Sequence, residues 1–290
     1  MGFKTERDSM RYITIDDDYY PVLLKTIADP PDKLFYEGNI ELLNEKCAAV
    51  VGSRNASSYG LRTAESIGAI LGGAGVCVVS GMAYGIDMAA HKGAVKTRGR
   101  TIAVLGCGID MENSIKKKPL LNMIKEMGLV ISEYPPGTPA AKYTFPRRNR
   151  IISGISICTT VVEGNFNSGS LITAELACEQ GRCVYAVPGN IDSPLSLGTN
   201  KLIKDGAVPL ISAGDILSDM GITKSSRISL GMDEKRILRC LNDMGEYTIS
   251  EISAKTGMTE KQAAGIVSVL EIKGLVTTQA GRIFILNRNA

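Results

Sequence analysis

Residues 142–174 read K-Y-T-F-P-R-R-N-R (142–150), I-I-S-G-I-S-I-C-T-T-V-V (151–162) and E-G-N-F-N-S-G-S-L-I-T-A (163–174). The first segment crowds four cations and two aromatic rings into nine residues, a combination that suits phosphates carrying bases. The apolar second segment predicts a buried strand, and the third is a loop of small residues that opens a helix. Because such a loop suits a phosphate held by backbone N–H groups, the stretch predicts contact with nucleic acid or nucleotides.

The composition is that of an ordinary soluble globular protein, with 44% hydrophobic and 22% charged residues in a chain of 290. No apolar run approaches the roughly 20 residues of a membrane helix, and no apolar segment follows the basic N-terminus, so we expect a cytoplasmic protein without membrane contact. Seven scattered cysteines and one histidine predict reduced thiols and no metal site. The net charge of +3 does not by itself indicate nucleic acid.

Short apolar strands alternate with helices on both sides of this stretch. The run C-A-A-V-V-G (47–52) is apolar throughout, as in a strand covered on both faces, and glycine-bearing loops follow several strands. We predict an α/β fold over residues 46–221, with an extended Rossmann-like parallel sheet and helices on both faces. Residues 1–45 are predicted to be an N-terminal extension that packs on this core, with an edge strand at Leu34–Tyr36.

The C-terminal region has a different pattern, after a predicted linker at Ile222–Leu230. Residues 228–290 contain three amphipathic helices and then a hairpin with Ala280 and Gly281 at its tip. This order predicts a small winged helix-turn-helix domain. Thr259 and Gln262 have the spacing of a capping box at the third helix. The outward face of that helix is near neutral in charge, so it offers little for reading DNA bases.

The first loop of the predicted sheet carries G-S-R (52–54), which offers close backbone approach, a hydroxyl and a bidentate guanidinium to a phosphate. A plain turn with a solvated arginine is the alternative. S-G-M-A-Y-G-I-D (80–87) is either a second ligand loop or a site of close packing with Asp87 as a helix cap. His91 lies on the following helix among small apolar residues, so we predict a packed rather than a catalytic histidine.

The predicted DNA-binding residues combine the G-S-R loop with the cationic segment; they are Gly52, Ser53, Arg54, Lys142, Phe145, Arg147, Arg148, Asn149 and Arg150. Phe145 would stack on a base, worth roughly 1–3 kcal/mol, and each cation would neutralise a phosphate. At least one arginine is expected to pair instead with Glu133 or Glu163. The predicted phosphate-binding loop is Ser168, Gly169 and Ser170, with a simple serine cap at the helix as the alternative.

Two familiar nucleotide motifs are missing from the sequence. G-C-G (106–108) has Met111 where the dinucleotide fingerprint requires a third glycine, and no G-x-x-x-x-G-K-[ST] occurs. These departures argue against NAD and against ATP hydrolysis. We therefore predict no cofactor and no catalytic residue.

Six segments, in chain order, resemble the DNA-processing protein A family, also called Smf. They are Y-P-V-L-L-K-T-I-A-D-P-P (20–31), V-V-G-S-R-N-A-S-S-Y-G (50–60), S-G-M-A-Y-G-I-D-M-A-A-H-K-G-A (80–94), F-P-R-R-N-R-I-I-S-G-I-S (145–156), V-V-E-G-N-F-N-S-G-S-L-I-T-A-E-L-A (161–177) and V-P-G-N-I-D-S-P-L-S-L-G-T-N-K-L-I-K-D-G-A (187–207). The resemblance implies a non-enzymatic mediator that binds single-stranded DNA, dimerises, protects incoming strands and loads the RecA recombinase in natural transformation. It also implies a binding pocket at Arg54, Lys142 and Phe145. The sequence departs from the family at its front, where it lacks room for the helical N-terminal domain that some members carry.

Two other classes of function stay open from the sequence. One is a Rossmann-like nucleotide-binding enzyme of the phosphoribohydrolase type, with Glu175 as a candidate acid, although the P-G-G-x-G-T loop of such enzymes is missing. The other is a transcription regulator that acts through the winged domain.

Overall fold

The computed structural model describes residues 11–97, 100–112, 114–222, 231–244, 246–272, 275–279 and 281–285. The chain divides into two compact units, residues 1–224 and 225–290. Of the linker predicted at Ile222–Leu230, all but Ile222 lies outside the described residues.

One sheet organises the larger unit, and nine strands belong to it within the described residues. In chain order they are β1 (Tyr12–Thr14), β2 (Lys33–Gly38), β3 (Cys47–Val51), β4 (Cys77–Ser80), β5 (Thr101–Leu105), β6 (Leu129–Ser132), β7 (Cys158–Val161), β8 (Cys183–Ala186) and β9 (Val208–Pro209). In space they run β1-β2-β6-β5-β4-β3-β7-β8-β9. The strands from β6 to β9 in this order are parallel.

Helices cover both faces of the sheet, as predicted. They are α1 (Val22–Lys25), α2 (Ser58–Gly73), α3 (Ile86–Lys96), α4 (Lys118–Met127), α5 (Thr144–Gly154), α6 (Gly169–Glu179), α7 (Leu197–Lys204) and α8 (Ala213–Asp219), and two 3-10 helices span Ile40–Asn44 and Ile109–Met111. Strand β3 shows the two faces clearly: Ala49 and Val51 pack in the core under α5 and α6, whereas Ala48 and Val50 pack in the core under α2 and α8. Its continuous apolar run is therefore the pattern of a central parallel strand.

The strand order reverses between β3 and β7. From β3 the chain builds outward through β4, β5 and β6, and then α5 carries it back to β7 on the other side of β3. In open parallel sheets, such a reversal leaves a crevice outside the carboxyl ends of the two strands, and ligands bind there. The loops after β3 and β7 are G-S-R-N (52–55) and E-G-N-F-N-S (163–168), which are two of the motifs singled out above.

The prediction of a strand from Ile151 onward was wrong for its first half. Residues 151–154 belong to α5, and the strand begins only at Cys158. The apolar residues Ile151, Ile152 and Ile155 have helical spacing and are all buried. Gly154 then lets α5 approach α1, because a Cβ at this position would lie 2.7 Å from Leu24 Cδ1. A short apolar run does not by itself distinguish a buried strand from a buried helix.

The prediction of an edge strand at Leu34–Tyr36 was also wrong, because β2 is covered by β1 on one side and by β6 on the other. Both pairings are antiparallel, so residues 12–38 extend the parallel sheet instead of only packing on it. Tyr20, Leu24 and Leu34 are fully or almost fully buried in the same core as β3. The described part of segment 1–45 is thus continuous with the large unit.

The smaller unit contains α9 (Met232–Met244), α10 (Ile249–Thr256) and α11 (Glu260–Ile272), with strands β10 (Glu246–Tyr247), β11 (Val276–Gln279) and β12 (Arg282–Ile285). The three helices and the antiparallel pair β11–β12 are in the predicted order, and the smaller unit has its own apolar core. The capping box is confirmed, since Gln262 N donates to Thr259 Oγ1 at 3.3 Å and Thr259 N donates to Gln262 Oε1 at 3.0 Å. Ala280, placed at the hairpin tip by the sequence, lies outside the described residues, and the assignment as a winged helix stays a prediction.

Two glycines set the spacing of α2 and α3, which pack side by side. A Cβ at Gly68 would lie 2.2 Å from Ala90 O, and a Cβ at Gly93 would lie 2.0 Å from Glu65 O. Both obstacles are backbone atoms, which cannot swing aside as a side chain can. The contact therefore requires glycine at both positions.

His91 is buried on α3 and faces β5. Its Nδ1 lies 2.7 Å from Thr101 Oγ1, and that hydroxyl donates to Val78 O at 2.7 Å. Burial lowers the pKa of His91 to about 3, and the nearby positive charge of Arg148 acts in the same direction. This agrees with the prediction of a packed histidine.

The glycine contact predicts that Gly93→Ala destabilises the protein by about 1–3 kcal/mol, because the helices must move apart to admit a methyl group. Gly73→Ala is the matched control, since it adds the same group at the end of α2 where open space surrounds it. Urea unfolding followed by circular dichroism measures both. Equal stability of the two variants would show that the α2–α3 contact tolerates a side chain.

His91 predicts a loss of stability in mild acid. Its pKa of about 3 in the folded state lies below the value of 6.5 in the unfolded state. Its contribution to the free energy of unfolding is therefore complete above pH 6.5 and falls as the pH decreases toward 3. The slope is about 1.4 kcal/mol per pH unit, so the free energy of unfolding should drop by about 2 kcal/mol between pH 7.5 and 5.0. His91 is the one histidine in the chain, so His91→Asn should abolish most of this difference. A wild-type stability that is flat over this range contradicts the assignment.

Candidate nucleic-acid interface

A cavity of about 580 Å³ lies at the crevice between β3 and β7. Ten of the twelve residues predicted to bind DNA or phosphate line it: Gly52, Ser53, Arg54, Lys142, Phe145, Arg148, Asn149, Ser168, Gly169 and Ser170. They come from three separate parts of the chain, which the reversal of strand order brings together. Arg147 and Arg150 are not part of the lining.

The loop after β3 holds Arg54 on a rigid support. Ser53 N donates to Glu163 O at 2.7 Å, and Asn55 N donates to Ser53 Oγ at 3.2 Å. A Cβ at Gly52 would lie 2.6 Å from Ile86 Cγ1 and 2.9 Å from Glu163 O. Gly52 is therefore required by the packing of its own loop, a role that the phosphate interpretation of this glycine did not foresee.

Arg54 and Phe145 form a cation–π pair across the cavity wall, with the guanidinium carbon 5.2 Å from the ring centroid. Arg54 is exposed and Phe145 is half-buried. The ring also packs near the loop after β5, since a Cβ at Gly106 would lie 3.0 Å from its Cδ1. Phe145 consequently orients Arg54 toward the cavity, and the guanidinium already covers ring surface that the sequence interpretation reserved for a base.

Arg148 is buried at the base of the cavity and donates hydrogen bonds inside the protein. Its Nη1 donates to Gly81 O at 2.7 Å and also to Val104 O, and its Nε donates to Asn149 Oδ1 at 3.2 Å. Gly81 and Val104 belong to the carboxyl ends of β4 and β5, so this side chain fastens α5 across the sheet. Burial lowers the pKa of Arg148, whereas the nearby carboxylate of Asp87 opposes that change.

Asp87 lies on the other side of the same loop. Its Oδ2 accepts from Gly81 N at 3.1 Å and Ala83 N at 3.3 Å, which holds the intervening Met82 at a φ of 54°. A non-glycine residue in this left-handed region is uncommon and is kept there by its surroundings. Burial raises the pKa of Asp87, and the charge of Arg148 opposes the rise. The prediction of Asp87 as a helix cap was wrong, because its partners precede the helix.

Arg150 and Arg147 are paired with carboxylates, as was expected for at least one arginine. Arg150 contacts Glu133 and lies 3.1 Å from Asp29 with only 8% of its side chain exposed. Arg147 Nη2 lies 3.3 Å from Glu133 Oε1 and is half exposed. The position of Arg150 contradicts its assignment to a DNA contact, because its charge is balanced within the core. Instead it ties the A-D-P segment of residues 28–30 to α5.

Lys142 lines the cavity and is exposed, as is the neighbouring Tyr143. Asn149 connects this wall to the opposite one, since its Nδ2 donates to Gly169 O at 3.3 Å. Three of the predicted cations line the cavity. Arg54 and Lys142 are exposed, whereas Arg148 is buried. These two side chains are therefore available to an anion from solvent.

The third wall is the amino-terminal end of α6. Ser168 is its N-cap and accepts from Ser170 N at 3.4 Å, so the simple capping interpretation is correct. The same residues also line the cavity, together with Gly169. The positive end of an 11-residue helix therefore faces the space that Arg54 and Lys142 border. The two interpretations of this loop are compatible.

Several polar residues were not assigned to the site from the sequence, although they lie in motifs quoted above; Asn55 and Thr173 line the cavity, and three more follow β7. Asn165 and Asn167 line the cavity. Glu163 is buried and accepts from Ser57 N at 2.9 Å and Ser57 Oγ at 2.5 Å, which ties the end of β7 to the start of α2. Their position directly after a buried strand was the available signal.

Glu175, the candidate acid, is exposed on α6 and is not among the residues that line the cavity. Within the described part of the chain, no group of three or more His, Cys, Asp and Glu side chains is placed to hold a metal ion. None of the described helices combines the length and apolar character of a membrane crossing. What the cavity offers is two exposed cations, a helix N-terminus and several amides, which suit a phosphate backbone.

Comparisons with known proteins agree with this geometry. The family model of DNA recombination-mediator protein A matches residues 11–221. DNA processing protein DprA from Streptococcus pneumoniae is 45% identical over 206 residues, which are 71% of this chain and 73% of that protein. Its X-ray structure matches with a TM-score of 0.70 at 44% identity, covering 73% of this chain and 75% of that one.

A second solved structure is DNA processing protein A from Helicobacter pylori, described for its single-stranded DNA binding mode. It matches with a TM-score of 0.66 at 26% identity and covers 73% of this chain and 96% of that one. The curated relatives and the solved structures thus point to the same group of proteins. The chain belongs to the DNA recombination-mediator protein A family, that is, the DprA/Smf family of DNA-processing proteins.

Proposed function

We propose that this protein binds single-stranded DNA as a recombination mediator, without enzymatic activity. In this role it protects incoming DNA and loads the RecA recombinase in natural transformation, acting as a homodimer in the cytoplasm. The observation that carries the proposal is the convergence of Arg54, Lys142 and the N-terminus of α6 on one cavity. The family membership supports the mediator role, the RecA partner and the dimer.

The form of the site favours an unpaired strand over a duplex. Its cations stand at the mouth of a recess that is also lined by Asn149, Asn165 and Asn167. A base can enter such a recess only when it is not stacked and paired in a duplex. Cationic grooves combined with aromatic side chains are the usual means of binding single strands without sequence preference. The ligand named for the Helicobacter pylori relative is of the same class.

The proposal predicts that Arg54→Ala with Lys142→Ala weakens binding to a labelled oligo-dT, by roughly tenfold or more for each cation removed. The slope of log K against log salt should become shallower by about 1.4, because each phosphate contact contributes about 0.7 on single strands. Fluorescence anisotropy at several salt concentrations measures both quantities. Wild-type protein should prefer the single strand to the duplex of the same sequence.

A matched control is Lys96→Ala with Arg100→Ala. It removes two exposed cations near the amino-terminal end of β5, whereas the cavity lies at the carboxyl ends of the strands. Their partners Glu65 and Glu45 are partly exposed, so the loss of these surface ion pairs should cost little stability. The control should leave the affinity within about twofold and change the salt slope little. Equal losses in the two double variants would mean that only net charge matters, and no preference for single strands would defeat the proposed function.

A further inference from the structure

We infer that Phe166 is a platform on which a nucleobase of the bound strand stacks as the strand leaves the cavity. This inference rests on the proposed function, since it assumes that a single strand occupies the cavity. It adds a recognition residue to the G-S-R loop and the cationic segment.

Phe166 is held at the tip of a rigid turn. Ser168 N donates to Asn165 O at 2.9 Å, and Phe166 N donates to Asn165 Oδ1 at 2.6 Å, so the turn is closed by its own hydrogen bonds. The base of the loop is fixed as well, because Gly164 N donates to Leu195 O at 2.7 Å and Gly198 N donates to Gly164 O at 2.8 Å. The backbone that carries the ring is therefore ordered before any ligand arrives, which lowers the ordering cost of binding.

Phe166 is 53% exposed and lies in the chain between two residues that line the cavity, although its own ring is not part of the lining. Its neighbours Asn165 and Asn167 both line the cavity, as does Ile172, which is itself 39% exposed. An exposed phenylalanine on a fixed turn keeps apolar surface in water, and a nucleobase is the apolar face that a strand in this cavity would bring. Phe145 is less available for this task, because Arg54 lies over its ring.

The loop carries no charged side chain, so base stacking on Phe166 can be distinguished experimentally from phosphate binding. Residues 164–170 read G-N-F-N-S-G-S and contain no ionisable side chain. Stacking on Phe166 should therefore contribute affinity that does not depend on counterion release. Removing the ring should weaken binding without changing the salt slope, whereas removing Arg54 or Lys142 changes both.

The chain has no tryptophan, so Phe166→Trp creates a single fluorescent probe at the proposed platform. Titration with oligo-dT should quench its emission, whereas an abasic oligonucleotide of the same length should bind with little quenching. Tyr12→Trp is the control, because Tyr12 is similarly exposed but lies on β1, five strands from β3 or about 24 Å at ordinary strand spacing. Its emission should not respond to either oligonucleotide.

Affinity measurements complete the test. Phe166→Ala should weaken oligo-dT binding roughly 5- to 150-fold, the range expected for one stacked base, with an unchanged salt slope. On the abasic strand the same variant should bind within about twofold of the wild type. The platform is overturned if the wild type binds oligo-dT and the Phe166→Ala variant binds it equally well. It is also overturned if the variant loses the same affinity on the normal and the abasic strand. Either result leaves the proposed function intact. If the wild type binds no single strand, both fall together.

Discussion

The architecture of the site depends on one buried guanidinium. Arg148 reaches from α5 to the backbone carbonyls of Gly81 and Val104, where β4 and β5 end. Without it these carbonyls would lose the hydrogen bonds that Arg148 donates, and leaving a buried polar group unpaired typically costs about 1–3 kcal/mol. Its partner across the loop, Asp87, accepts the N–H of the same Gly81. The helix that carries Lys142 and Phe145 at its start is thereby fixed over the edge of the sheet.

This anchoring explains why a segment with four cations supplies only part of its charge to a ligand. Arg148 and Arg150 are buried and satisfy carbonyls and carboxylates, and Arg147 shares Glu133 with Arg150. Lys142, at the front of the segment, faces the cavity beside Arg54 from the loop after β3. One sequence motif therefore serves two purposes, since its later half builds the site and its first residues present the charge. On the side of β7, Asn165 and Asn167 complete the cavity wall, and the exposed Phe166 lies between them in the chain.

The sequence was sufficient for the fold class and for half of the residues that line the cavity. Fully apolar strands such as residues 47–51 and the glycine-bearing loops after them indicate a parallel sheet, and ligands bind at its carboxyl edge. Residues 151–154 could not be assigned correctly, because a four-residue apolar run fits a helix as well as a strand. The pairing of Arg150 with Asp29 joins positions 121 residues apart, so no local pattern announces it. The loop that carries Phe166 is likewise held by hydrogen bonds between Gly164 and residues 195 and 198, which lie far along the chain.

We propose that the crevice between β3 and β7 holds the phosphates and bases of an unpaired strand. Hydrogen–deuterium exchange of the full chain with and without oligo-dT tests this claim directly. Slower exchange is expected in peptides that cover residues 52–55, 142–146 and 165–171, with little change in residues 232–285. Protection confined to residues 232–285, or no protection at the crevice under saturating DNA, would contradict it.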